Sequence, residues 1–300
     1  MIPTIKNIVV GSELRPSADA VVRAAVELAG HLGATLHVVH GYLLTDPLLD
    51  AYARAGYLGE QTLIGYGQDL QAALEAQAAR VAGDVAVRAI AVAGSPATAM
   101  LQVAAETAAD LIVVGNPRHE RLPLSLLGSS CRTVVRRSEV PVLMVRPGIS
   151  PVPKRVLAPT DLSALSAAAY EWGFAIAGLQ PRRVEMRSLL VISESLMLLP
   201  LEQSLLEKVA EQQLTAFAKG VAIAATTPEI AIRKGDPASE IVAEATEWGA
   251  DLVVLGTHGR RGMDRFLLGS VAEAALKAAQ CNVLIVPPSP EQNLREAASD

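Results

Sequence analysis

The chain has 300 residues, enough for about two ordinary domains, and 51% of it is apolar, enough to bury a sizeable core. A net charge of −5 with 3% aromatics argues against a broad nucleic-acid or anionic-membrane surface and against stacking platforms for single strands. The two cysteines, Cys131 and Cys281, form no CxxC or Cys/His cluster, residues 1–6 lack the regions of a signal peptide, and no apolar stretch reaches the roughly 18 residues that cross a bilayer, so a soluble cytoplasmic protein is expected.

In chain order, residues 5–10 read as a short apolar strand, 18–32 as a helix stopped by Gly33, and 35–39 as a second strand. A less regular stretch leads to a helix over about 68–82, then a third strand over 84–93. Gly94-Ser95-Pro96 opens a helix ending near Ala108, and 111–114 is a fourth strand. A glycine loop, a helix from about Ser129 and a strand over 142–145 follow. Residues 147–153 hold three prolines and a glycine, which can continue neither strand nor helix. The rhythm then repeats, with strands near 156–159, 184–192, 229–234, 252–255 and 283–286. Short, continuously apolar strands alternating with helices predict an α/β fold with parallel sheets covered on both faces.

The chain is written twice. Gly94–Ala97 matches Gly235–Ala238, Ala109–Gly115 matches Ala250–Gly256, Leu127–Ser129 matches Leu268–Ser270 and Pro141–Val145 matches Asn282–Val286, each pair 141 positions apart. The starts match at an offset of 148, Lys6 with Lys154, so the difference falls mid-repeat, where loop length is tolerated. The expected organisation is a first domain over 1–147, a linker over 148–153, a second domain over 154–288 and a polar tail over 289–300. Each domain should be a five-stranded, mostly parallel sheet sandwiched by helices. The closing strands, 142–145 and 283–286, are flat apolar edges, which invite pairing as an internal pseudo-dimer. A further homodimer remains open.

In such sheets ligands bind beyond the carboxyl ends of the strands. Gly256 follows the strand Leu252–Leu255, and Asp161 follows the first strand of its repeat. Gly256 and Gly259 permit positive φ and clear side chains from a phosphate path, and successive amides there can form an anion nest. Gly269-Ser270 places amides and a hydroxyl at a helix N-terminus, where the dipole favours negative charge. Arg260, Arg261 and Arg265 could add cations, though arginines beside a glycine loop are common on surfaces. Asp161 would repel phosphate and suits ribose hydroxyls or an adenine amino group.

With these residues the chain resembles the universal stress protein family, of the tandem type. The resemblance rests on Gly-x2-Gly-x9-Gly-Ser, here Gly256, Gly259, Gly269 and Ser270, and on Pro159-Thr160-Asp161 after the first strand. Gly235-Asp236-Pro237-Ala238, the run Ala250–Gly259 and the closing Asn282–Val286 add to it. It implies an adenine-nucleotide α-hydrolase-like, Rossmann-like fold and ATP as cofactor, with Mg²⁺ or Mn²⁺ accompanying the phosphates. It also implies that Pro159, Thr160 and Asp161 meet the ribose or base, and that Val191 meets adenine through its backbone. Leu255 and Gly256 would line the ribose. Gly259, Gly269, Ser270 and Val271 would hold the triphosphate, with the metal held mostly by the phosphates and water, and His258 and Arg260 of the same loop are further candidate nucleotide-binding residues.

The first repeat departs from the pattern. Arg118 replaces the second glycine, Pro117 removes an amide donor, and Glu13 stands for Asp161. Either this site is closed and the first domain structural, or Arg118 itself binds phosphate. Loss of flexibility and of a donor together favours the former.

Other residues read blandly. His258 suits loop shaping more than catalysis. His37 and His40, three apart on a strand, point to opposite faces and make a poor metal pair. Cys131 and Cys281 read as buried small hydrophobes. The leucine-rich stretch 195–206 reads as packing rather than a partner patch. No GxxxxGK[ST], GxSxG or HExxH occurs, no GxGxxG opens the first strand-to-helix turn, and no general base has an orienting partner, so no catalytic residue is assigned. The expected function is an ATP-binding cytoplasmic stress-response protein that signals through conformation or an unknown protein partner, with at most slow hydrolysis. The alternative is a nucleotide-free structural or chaperone-like regulator. Neither nucleic acid nor membrane is expected as a partner.

Overall fold

A computed structural model of the chain describes residues 2–15, 18–42, 60–115, 128–177, 184–194, 202–221, 228–257 and 268–288, with backbone only for 60–64. The first half runs β1 (Asn7–Gly11), α1 (Ala18–Leu32), β2 (Thr35–Tyr42), α2 (Glu60–Val81), β3 (Val87–Ala93), α3 (Pro96–Glu106), β4 (Leu111–Gly115), α4 (Ser129–Arg137) and β5 (Val142–Val145). The second runs β6 (Arg155–Pro159), α5 (Ala164–Ile176), β7 (Glu185–Ser193), α6 (Gln203–Gly220), β8 (Glu229–Gly235), α7 (Pro237–Trp248), β9 (Leu252–Gly256), α8 (Ser270–Ala278) and β10 (Asn282–Val286). Several boundaries differ from the sequence reading: strand β2 runs on to Tyr42, beyond the expected 39, and β1 begins at Asn7 rather than residue 5. Helix α2 begins at Glu60, earlier than expected. Strand β3 begins at Val87 because Gly83, at φ 54°, forms a turn closed by the Val85 amide on the Ala82 carbonyl.

All ten strands form one sheet, ordered β3-β2-β1-β4-β5-β10-β9-β6-β7-β8. Every pairing is parallel except β5 with β10, which run antiparallel with Leu143 opposite Leu284. The central strands are buried on both faces, as their unbroken apolar sequences require, whereas β3 and β8 at the edges are half-exposed. Alternation along the strands sends Val9, Ile112, Met144, Leu157, Val253 and Ile285 to one face, against α3, α4, α7 and α8. Ile8, Val10, Leu143, Val156, Val254 and Leu284 go to the other, against α1, α2 and α5. Each core layer is continuous across both halves.

Repeated sequence yields repeated bonding. Asp110 Oδ2 accepts the amides of Lys6 (2.7 Å) and Asn7 (3.0 Å), and Asp251 Oδ2 those of Lys154 and Arg155 (both 2.9 Å). Each aspartate thus ties the start of its repeat's first strand to the strand it precedes. After α3 and α7 the chain turns through a left-handed residue, Ala108 (φ 47°) in one repeat and Gly249 (φ 69°) in the other. The following amides close both turns identically, Ala109 on Ala104 and Ala250 on Ala245, at 2.8 Å.

At the seam, Arg146 follows β5 into the second half and is 2% exposed. Its Nε donates to the Cys281 carbonyl (3.0 Å) and its Nη2 to the Leu276 carbonyl in the last turn of α8 (3.1 Å). Asn282 accepts the Arg146 amide (2.8 Å) and donates to the Ser150 carbonyl (2.8 Å).

Two stability predictions follow from these contacts. Ala108→Gly should stabilise the chain by about 1 kcal/mol in urea unfolding and Gly249→Ala destabilise it by about as much, since only glycine adopts the left-handed conformation without cost. Arg146→Leu should lose about 3 kcal/mol, because buried carbonyls are left without their donor.

Candidate functional site

The loop after β6 is held by its own side chains. The Thr160 amide donates to the Leu189 carbonyl (2.8 Å), which aligns the loop with β7. Thr160 Oγ1 accepts the Leu162 amide (2.8 Å) and shares a hydrogen bond with Ser166 Oγ (2.8 Å). Asp161 Oδ1 accepts the Ser163 amide (3.1 Å), and Ser163 Oγ caps α5 by accepting the Ser166 amide (3.2 Å). Leu162 is driven to φ 67°. The first half builds the same turn with different residues. Ser12 accepts the Leu14 amide (3.1 Å), its amide donates to Val39 (2.8 Å), and Leu14 sits at φ 53°. There the Ser12 hydroxyl is drawn to Gln77 Oε1 (2.6 Å), and Glu13, in the place of Asp161, is exposed.

Strand β9 lies beside β6, so its end shares an edge with this loop. The expectation that Gly256 starts a positive-φ turn is corrected. Gly256 is the last residue of β9, paired with Val286, and is not among the left-handed glycines. Its counterpart Gly115 shows what a glycine does at such a strand end: a Cβ there would stand 2.4 Å from Val21 Cγ2 of α1. Close helix packing requires the glycine, with or without a ligand. Thr257, unremarked in the sequence, fastens the site. Its amide donates to the Val286 carbonyl (3.0 Å), and its carbonyl accepts the Gly269 amide (2.8 Å).

Gly269 is the N-cap of α8 at φ −58°, ψ 146°, with no side-chain cap, and Ser270 at the first position is exposed. The amide of Gly269 itself is therefore taken by Thr257, and those of Ser270, Val271 and the next residue open the helix. Gly128 caps α4 with nearly the same backbone, φ −56° and ψ 144°. Leu255 and Val271 pack into the apolar core, so they could offer a ligand only main chain. Val191 is half-buried beside Arg233 on β8. Pro159 ends β6, buried opposite Leu189. Thus Pro159, Thr160, Asp161, Val191, Leu255, Gly256, Gly269, Ser270 and Val271 lie at or next to the carboxyl edge of β6, β7 and β9. His258, Gly259, Arg260, Arg261 and Arg265, like Pro117 and Arg118 and residues 195–201, lie outside the described residues. The sequence did carry a signal for Ser163, a serine just before a helical apolar run.

The remaining candidates take structural roles. Burial pushes the Cys131 thiol up to about 12 and the Cys281 thiol up to about 11, against the pull of Arg146, so both stay protonated. His40 Nδ1 lies 2.8 Å from the Ser12 carbonyl oxygen, and the buried His37 has Nε2 3.4 Å from Asn7 Oδ1. Among the described residues no group of three or more His, Cys, Asp or Glu is placed to hold a metal, and no helix is long and apolar enough to cross a membrane.

Beside Val191 stands a charged network. Arg187 donates to Glu229 and Glu244 (both 2.7 Å) and lies 4.4 Å above the Trp248 ring, while Arg233 pairs with Glu240, Glu244 and Glu247. Burial opposes charge on Glu244, yet its hydrogen bonds from both arginines hold the carboxyl below its ordinary 4.5. That stability is fully present above pH 4.5 and is lost as pH falls through the lower folded value. Glu244→Gln should therefore flatten the acid limb of a stability-against-pH curve measured by thermal unfolding.

The universal stress protein family model matches residues 4–146 and again 153–287. A universal stress protein of Methanocaldococcus jannaschii is 55% identical over 53 residues, 18% of this chain and 31% of its own. One of Mycobacterium tuberculosis H37Rv is 29% identical over 199 residues, 64% of this chain and 65% of its own. The matched stretches thus span less than two-thirds of either relative. Among solved structures, a universal stress protein of Archaeoglobus fulgidus superposes with a TM-score of 0.62 at 19% identity, covering 94% of this chain and 98% of its own. A protein of unknown function from Pseudomonas aeruginosa PAO1 does so at 0.67 and 19%, covering 98% and 97%. At that identity the likeness is one of fold.

Proposed function

The chain belongs to the universal stress protein family, a family of stress-response proteins, and on that premise we propose that its second half binds ATP at the carboxyl edge of β6, β7 and β9. The observation that carries the reading is the start of α8: a glycine N-cap without a side-chain cap, exposed Ser270, and the Thr257 anchor beside the loop of Asp161. An uncapped helix start offers amides and a positive dipole end to phosphate. Asp161, held by the Ser163 amide, faces the ribose or base, and Gly269, Ser270 and Val271 take the phosphates. His258, Gly259 and Arg260 complete this assignment. Mg²⁺ or Mn²⁺ accompanies the nucleotide, held mostly by its phosphates and by water.

The nucleotide acts as a conformational signal, and hydrolysis is slow at most, because no general base with an orienting partner is assigned. The two domains, divided at 148–153, work as an internal pseudo-dimer through the β5–β10 pairing, in a cytoplasmic setting that suits two buried free cysteines. For the first half the nucleotide-free, structural reading is favoured by Pro117, which removes an amide donor, and by Arg118, which stands where the second repeat has Gly259.

Calorimetry on the full chain tests the assignment. Gly269→Asp should weaken ATP binding by about tenfold or more through phosphate repulsion, and Gly128→Asp should leave it unchanged. Absence of binding by the unaltered chain at millimolar ATP would defeat the nucleotide reading. Equal losses in the two variants would defeat its placement in the second half. Phosphate release should stay below about 1 per second.

A further inference from the structure

We propose that the first half supplies the cationic wall of the second half's phosphate site, through Arg132 and Arg136 of α4. The inference rests on the nucleotide reading above and adds residues from the other side of the seam.

Helices α4 and α8 pack on the same face of the sheet in one continuous apolar layer, around the antiparallel β5 and β10. Glu273 lies on α8 one turn beyond Gly269-Ser270, and residues three apart share a helix face. A phosphate seated on the first amides of α8 therefore meets a carboxylate, which would repel it. Three cations surround that carboxylate. Lys277 Nζ lies 2.7 Å from Glu273 and Arg136 Nη2 lies 4.0 Å from it, and Arg132, one turn before Arg136, adds its field. The hydrogen bond from Lys277, and then the fields of Lys277, Arg132 and Arg136, hold the Glu273 carboxyl below its ordinary value although burial opposes this. Among the described residues, one anion and three cations give the cluster an excess of positive charge. The Nε atoms of Arg132 and Arg136 are buried and have no hydrogen-bond partner among the described residues. Among the described residues the cluster is short of anionic oxygen, which a polyphosphate would supply.

The repeat explains how this arose within one chain. Arg132 stands at the position of Glu273 in the other repeat, and Arg136 at that of Lys277, each 141 residues earlier. The second half carries an acid near its own helix start, and basic residues from the first half lie against it. Arg136 is 38% exposed, so its guanidinium can turn from Glu273 toward a phosphate at the head of α8. The first half then acts as a positioning partner for the nucleotide of the second.

The test uses the full chain. Arg132→Gln/Arg136→Gln should weaken ATP binding by about fivefold, the scale of a partly exposed ion pair, and Glu273→Gln should tighten it. Adenosine, which has no phosphate, titrated by NMR chemical shift, should bind all variants alike. An unchanged ATP affinity in the double variant overturns the inference, and so does an equal loss for adenosine, which would mark a general disturbance of the seam. Failure of the unaltered chain to bind ATP overturns the nucleotide reading itself, and this inference with it.

Discussion

The antiparallel pairing of β5 with β10 is the constraint on which the rest of the molecule depends. Both strands are apolar on both faces, so neither can remain an edge without exposing unpaired backbone and hydrocarbon together. Pairing them satisfies both, and it merges two five-stranded sheets into one of ten. Because every other pairing is parallel, the carboxyl edges of the two halves then face opposite ways. The same pairing sends Arg146 into the second half, where it donates to carbonyls at the end of α8 and before β10. It also brings α4 of one half against α8 of the other.

The repeats keep their scaffold and differ in chemistry. Ser12 and Thr160 bend the loop after the first strand alike, Leu14 and Leu162 share a left-handed backbone, and Gly128 and Gly269 begin their helices at matching angles. Outside those points they diverge. His37, opposite Val9 on the next strand, is buried, while its spatial counterpart Arg187, opposite Leu157, anchors an ion network over Trp248. Glu13 is exposed where Asp161 is half-buried and bonded to Ser163. Duplication preserved what the backbone needs, and the side chains at the carboxyl edge of each half were free to part.

Much of this was legible beforehand. Strands buried on both faces write themselves as continuous apolar runs, and helices as longer alternating segments, so the order of elements and the repeat could be read directly. The candidate site was legible wherever glycine, serine or aspartate stood at a strand end or helix start. Less legible were residues whose role lies in a distant partner. Arg146 gives no local hint that it bonds Cys281 and Leu276, and Thr257 none that it bonds both Val286 and Gly269. Gly256 misled, because it ends β9 as a paired strand residue and not in a left-handed turn.

By itself, then, the sequence determined the fold class, the duplication, the element order and the residue types at the carboxyl edge of the strands, since these follow from local periodicity and self-similarity. Only the tertiary structure decided which amide Thr257 holds, which cations surround Glu273, and where Arg146 lodges. Apart from the pair Glu273 and Lys277 on one helix, those contacts join residues from 12 positions apart, as Thr257 and Gly269, to more than 130, as Arg146 and Cys281, and no local pattern encodes a partner that only packing brings near.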